Sequence, residues 1–172
     1  MRQERHFFVA LPIPSEDLAN TAKHLSLPDY FRNVYTLEEY HLTLRFFGPL
    51  EIEEQQSWKQ QLQEIAHTIE PFVLRLDRLI AFGRDERPRV VGFGTEADEL
   101  FQLASQVDPN ATKPFVPHVT IAKKWRAEAE EWTTSPIQPV EWTVRELVLF
   151  EIRPEASPRY EPIYRVQLGK EE

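Results

Sequence analysis

Apolar and polar positions along the chain follow two different periods, and the switches between them mark out the elements. Phe7-Phe8-Val9-Ala10-Leu11 is a run of strand formers that stops at Pro12, which predicts a buried strand. Ser15 followed by Glu16 and Asp17 predicts a helix start, with the helix running to about Leu25. A strand is predicted from His41 to Phe47, ended by Gly48-Pro49. From about Glu53 to Ile69 the apolar positions Trp58, Leu62, Ile65, Ala66 and Ile69 recur at helical spacing, and Pro71 ends the helix. Phe72 to Phe82 alternates in part and predicts a strand.

The order then repeats. Arg89 to Gly94 predicts a strand, and Ala97 to Val107 a helix with Leu100, Leu103, Ala104 and Val107 on one face. Val116 to Lys123 predicts a strand, Arg126 to Trp132 a short helix, Trp142 to Ile152 a long strand and Tyr164 to Leu168 a last one. Each half thus reads strand, helix, strand, helix, strand. The boundary between halves is expected in the polar stretch Gly83 to Pro88, within one domain spanning 1–172. The proline-rich pieces Pro109 to Pro117 and Pro154 to Pro162 are expected to be loops.

Composition narrows what this fold can do. With 172 residues, 41% hydrophobic and 28% charged, the chain can bury a core and resembles no fibrous or disordered class. The formal net charge of −8, with no Lys/Arg block, argues against a surface that grips a long nucleic acid. A nucleotide, or the end of an RNA, is the size of ligand that remains. The chain has no cysteine, which excludes disulfides, thiol nucleophiles and cysteine metal sites. The N-terminus lacks the long apolar segment of a signal peptide or membrane helix, so a cytoplasmic protein with no membrane partner, acting as a monomer, is expected.

Two short motifs occupy the matching strand of each half: His41-Leu42-Thr43-Leu44 and His118-Val119-Thr120-Ile121. Alternation along a strand puts His41, Thr43 and Arg45 on one face, and His118 and Thr120 on one face. If the halves pack about a pseudo-twofold axis, two imidazoles and two hydroxyls face each other across a cleft. That set suits phosphodiester chemistry without metal or cofactor. One imidazole takes a proton from the attacking oxygen, and the other gives one to the departing oxygen. Threonine hydroxyls bind the non-bridging oxygens. A cation is needed for the developing charge, and Arg45, Lys123 and Lys124 are the candidates. A lone His-x-Thr on a strand is ordinarily a half-buried polar pair. Two copies in matching elements carry the functional reading.

The stretches His41-Leu-Thr-Leu-Arg-Phe-Phe-Gly48 and Pro117-His-Val-Thr-Ile-Ala122 resemble the two-histidine phosphoesterases, above all the RNA 2',3'-cyclic phosphodiesterases once called 2'-5' RNA ligases. Phe7 to Pro12, Pro88 to Gly94 and Arg145 to Phe150 extend the resemblance over essentially the whole chain. It implies an α+β, bilobal, pseudo-twofold fold with two antiparallel sheets around a central groove and helices outside. It implies opening of a terminal 2',3'-cyclic phosphate to a 2'-phosphate, with His41 as proton donor, His118 as proton acceptor, and Thr43 and Thr120 binding phosphate. Turnover of nucleotide or ADP-ribose cyclic phosphates, 2'-5' ligation, and a non-catalytic module binding RNA ends or nucleotides are the alternatives.

The family often has an arginine five residues after its second histidine, where this chain has Lys123 followed by Lys124. Lysine keeps the charge but loses the planar fork. Regular alternation also points Lys123 away from His118, so a bend is needed there. Among other polar residues, His6, His24 and His67 have no partner motif. Glu38 and Glu39 are expected in an exposed turn, and Glu128 to Glu131 on a solvated helix face. Phe8, Phe46 and Phe115 are expected to pack in the core rather than stack on a base.

Overall fold

The structure is a computed structural model, and it describes residues 4–170. The elements run β1 (His6–Pro12), α1 (Glu16–Lys23), a 3-10 turn (Leu27–Asp29), β2 (Phe31–Val34) and a second 3-10 turn (Leu37–Glu39). They continue with β3 (His41–Pro49), α2 (Ile52–Ala66), β4 (Phe72–Leu76), β5 (Arg78–Gly83), β6 (Pro88–Gly94) and α3 (Asp98–Val107). The last four are β7 (His118–Trp125), β8 (Val140–Val144), β9 (Glu146–Ile152) and β10 (Tyr160–Gln167).

All pairing is antiparallel, in an eight-stranded sheet of order β10-β9-β1-β3-β7-β6-β5 with β2 on β7, and a ribbon of β4 with β8. The large sheet is two halves that meet through a single residue pair, Leu42 on β3 with Val119 on β7. Both side chains are fully buried, so this seam is also part of the core. Truncating Leu42→Ala is expected to cost about 2–5 kcal/mol, read as a shift in urea midpoint at constant m-value.

Alternation divides the strands between two apolar clusters. Val9, Leu11, Leu42, Leu44, Val91, Phe93, Val119 and Ile121 point to one side and pack with Leu18, Leu62, Leu100 and Leu103 of the three helices. Phe8, Ala10, Val148 and Phe150 point to the other side as a separate cluster. Among the described residues no helix is long and apolar enough to cross a membrane.

Several predicted elements differ from those observed, each for a local reason. The strand expected over Phe72 to Phe82 is two strands, and so is that over Trp142 to Ile152. Both break where the chain leaves the β4–β8 ribbon for the large sheet, at Asp77 and Arg145. Strand β2 had no sequence signal of its own and lies on β7, beside the second motif. Residues 83–88 form the turn of the β5–β6 hairpin, so that stretch lies inside one half of the sheet rather than between halves. The C-terminal strands β9 and β10 return to the half that holds β1 and β3.

The helix expected from Arg126 to Trp132 does not form. Arg126 donates to the Pro28 carbonyl at 2.9 Å, and the Trp132 N–H donates to the Glu86 carbonyl at 2.7 Å. Trp132 is buried edge-on against Tyr30 and Phe31, at 5.1 and 5.7 Å between ring centroids. These long-range anchors hold the segment open, and Glu128, Glu130 and Glu131 are solvated without a helix.

Candidate active site

The groove face is set by the seam. Continuing the antiparallel Leu42–Val119 register by one residue each way places His41 across from Thr120, and Thr43 across from His118. The outer neighbours of all four residues are small or carry a ring folded onto the backbone. Pro12 and Ala10 lie opposite His41 and Thr43, and Gly94 and Gly92 lie opposite His118 and Thr120. A Cβ on Gly92 would stand 2.7 Å from the Val119 carbonyl oxygen, closer than packed atoms allow, so no side chain fits there.

Each motif strand carries a β-bulge in the same place, directly after its threonine. On β3 the register passes from Ala10–Thr43 to Val9–Arg45, leaving Leu44 extra, and on β7 from Gly92–Thr120 to Val91–Ala122, leaving Ile121 extra. An extra residue shifts every later side chain to the opposite face. This corrects one expectation for Arg45. It does not share the His41 face but turns toward the helices, donating to the Val107 carbonyl at 2.8 Å. Its guanidinium lies 4.8 Å from the Phe47 ring and 5.3 Å from that of Trp58, with Asp108 at 3.8 Å.

The same device brings Lys123 onto the groove face, where regular alternation would have pointed it away. Its ammonium lies 5.7 Å from the Tyr35 ring, and no carboxylate pairs with it among the described residues. Burial, then Arg159 and Lys124, hold its pKa below the usual lysine value. Lys124 takes the left-handed backbone (φ 65°) and its side chain is exposed. Phe46, the β3 counterpart of Lys123, is 57% exposed rather than in the core, whereas Phe8 is buried as expected.

The two imidazoles are held alike. His41 Nδ1–H donates to the Glu39 carbonyl at 2.7 Å, and His118 Nδ1–H donates to the Val116 carbonyl at 2.8 Å. A carbonyl only accepts, so Nδ1 carries the hydrogen in both rings and Nε2 is the nitrogen with a free lone pair. His41 is enclosed by Phe8 and Tyr160, each 4.9 Å away between centroids, and His118 packs on Phe82 at 4.6 Å. Burial pushes the His41 pKa down to about 4, opposed by the bond to Glu39 and aided by His118. Burial also lowers His118, against its bond to Val116.

Glu39 is not in an exposed turn, as expected, but buried, while Glu38 is exposed. Its carboxylate accepts from Arg159 at 2.7 Å and from the Thr36 N–H and hydroxyl at 3.1 and 3.2 Å. The bond from Arg159, then the Thr36 backbone N–H, keep it below the usual glutamate pKa despite burial. The capping pattern Thr36-x-x-Glu39 was the only hint of this in the sequence. Arg159 gave none. Among the described residues, no three His, Asp or Glu side chains gather as a metal-binding group.

The two motif strands are thus joined at their middle residues, each with its histidine held by a carbonyl two residues earlier. Residues 14–155 match the family model described as the 2'-5' RNA ligase superfamily, and the chain belongs to that family. It is 29% identical, over 95% of its length, to the RNA 2',3'-cyclic phosphodiesterase of Bacillus subtilis (strain 168), covering 97% of that protein. It is 31% identical over 92% of its length to the protein of the same name from Geobacillus stearothermophilus, of which it spans 55%. The E. coli LigT structure in apo form superposes with a TM-score of 0.78 at 26% identity, covering 98% of this chain and 100% of that one. LigT complexed with 3'-AMP gives 0.77 at 27% identity, with the same coverage.

Proposed function

We propose that the protein is an RNA 2',3'-cyclic 3'-phosphodiesterase that opens a terminal cyclic phosphate to a 2'-phosphate by two-histidine acid–base catalysis without a metal. The observation that supports this reading is the Leu42–Val119 seam, which joins the two motif strands at their middle residues, with each imidazole held through Nδ1 by a backbone carbonyl. His118 Nε2 takes the proton of a water whose oxygen bonds to phosphorus. The P–O3' bond breaks, and the leaving 3' oxygen takes a proton from His41 Nε2. Water is thereby added across that bond, leaving a 2'-phosphate and a 3'-hydroxyl.

His41, neutral in the free protein, is loaded by the substrate. An anionic phosphodiester beside a buried imidazole raises its pKa. Thr43 and Thr120 hydroxyls donate to the non-bridging oxygens, and Lys123 supplies the cation for the charge that builds up on them. This reading gives Arg45 no part, since its Nη1 donates to the Val107 carbonyl and its Nε faces Asp108 at 3.8 Å.

The net charge of −8 favours a small substrate as a second reading, namely a nucleotide or ADP-ribose cyclic phosphate. Reversal of ring opening, joining a 2'-5' linkage, would use the same groups. The test compares turnover of a cyclic-ended oligonucleotide and a cyclic mononucleotide in EDTA. Higher kcat/KM on the oligonucleotide is expected. Preference for the mononucleotide would establish the second reading, and loss of turnover in EDTA would overturn the mechanism.

A further inference from the structure

The Glu39–Arg159 ion pair lies behind His41 and takes no part in the steps above. Arg159 comes from the loop before β10, on the far side of the chain from the first motif in sequence. Its Nε donates to Glu39 Oε2 at 2.7 Å, while Glu39 Oε1 accepts both donors of Thr36. These bonds fix the turn Leu37–Glu39 from both ends. The carbonyl of that same Glu39 receives His41 Nδ1–H. A second route runs through rings. The Arg159 guanidinium stands 5.0 Å from the Tyr35 ring and 5.5 Å from that of Tyr160, and Tyr160 is edge-on to His41.

The arrangement is costly for a purely stabilising one. The Glu39 side chain is 9% exposed, and one terminal nitrogen of Arg159 is buried with no acceptor among the described residues. Buried ion pairs are seldom more stabilising than apolar side chains of the same volume, and an unfilled buried N–H adds to the cost. His118 provides an internal comparison. It makes the same bond to a carbonyl, but Val116 is 45% exposed, and no side-chain hydrogen bond among the described residues holds its segment.

We propose that Arg159 is the positioning residue of His41: through Glu39 it holds the carbonyl that fixes the imidazole's tautomer and aims Nε2 at the leaving oxygen. The proposal rests on His41 as the proton donor. It assigns Arg159 to the leaving-group half of the reaction and not to attack by water.

Leaving-group chemistry tests this. A sugar alkoxide needs a proton to depart, whereas a nitrophenolate does not. Arg159→Gln is expected to lower kcat on a cyclic-ended RNA at least tenfold more than on a nitrophenyl phosphodiester, with KM changing little. Arg159→Lys, which keeps a cation against Glu39 and preserves the fold should the glutamine variant lose it, is expected to show the same pattern at smaller amplitude. Equal losses on both esters would overturn the proposal. A second readout needs no turnover. The ¹⁵N shifts of His41 should report Nδ1–H in the wild type and a mixture of tautomers in either Arg159 variant, with His118 unmoved. An unchanged His41 tautomer would also overturn it. The His41→Ala control separates this from the proposed function. If that variant lacks the leaving-group dependence, the donor assignment fails. If it shows the dependence and the Arg159 variants do not, only the role of Arg159 fails.

Discussion

Replacing either groove histidine by alanine is expected to lower kcat/KM for a cyclic-ended oligonucleotide by about 10²–10⁴-fold. In the proposed mechanism the two imidazoles make both proton transfers, and each has only its Nδ1 tied to a backbone carbonyl. The Tyr35 hydroxyl is no substitute, since burial and Tyr160 raise its pKa further. The double variant is expected to be little worse than the poorer single one, because acid and base act on one transition state. The single variants also separate the roles. His41→Ala needs only a neutral base and should lose activity on the acid side alone. His118→Ala needs only a protonated acid and should lose it on the alkaline side alone. Rate profiles of the two variants against pH check both points, and the reverse assignment of limbs would exchange donor and acceptor.

The second large effect is an acid-shifted optimum. In the free protein burial brings His41 down to about 4 and holds His118 below the ordinary histidine value. In the proposed mechanism the reactive form carries one proton between the two rings, so kcat/KM is expected to peak between about pH 4 and 6.5 and to fall on both sides. The kcat profile should lie to its alkaline side, since bound phosphate favours the imidazolium. An optimum in kcat/KM above pH 7 would contradict the burial of these rings.

The same shifts govern stability. Both histidines are neutral when folded, and the unfolded chain binds protons first as pH falls. Stability is therefore full above about pH 6.5 and is lost as pH drops toward 4. His41 alone contributes a loss of ~3 kcal/mol at one-unit steps of ~1.4 kcal/mol. Urea midpoints across that range measure it, and His41→Gln should flatten the dependence.

The parts of this site that were legible in the sequence are those set by local chemistry. The motif residues, their faces and the duplicated order follow from two-residue alternation and helical spacing. The bulges after Thr43 and Thr120 do not, because a bulge is a property of two paired strands. They reverse the expected face of Arg45 and supply the bend that Lys123 needed. Helices α2 and α3 carry their own periodicity and were found within a few residues. The segment 126–132 has helical composition, but Tyr30, Phe31 and Glu86 hold it open through contacts distant in sequence. Strand β2 is short and lies on β7 through backbone bonds that composition does not encode. Arg159 was invisible for the same reason: its partner Glu39 lies 120 residues away.

The product of one reaction tests the central claim most directly. A 2',3'-cyclic-ended oligonucleotide is incubated with the protein in EDTA, and the new terminus is identified by ³¹P NMR. A 2'-phosphate beside a free 3'-hydroxyl is the outcome required by protonation of the 3' oxygen. A 3'-phosphate, or an unopened ring, would contradict it.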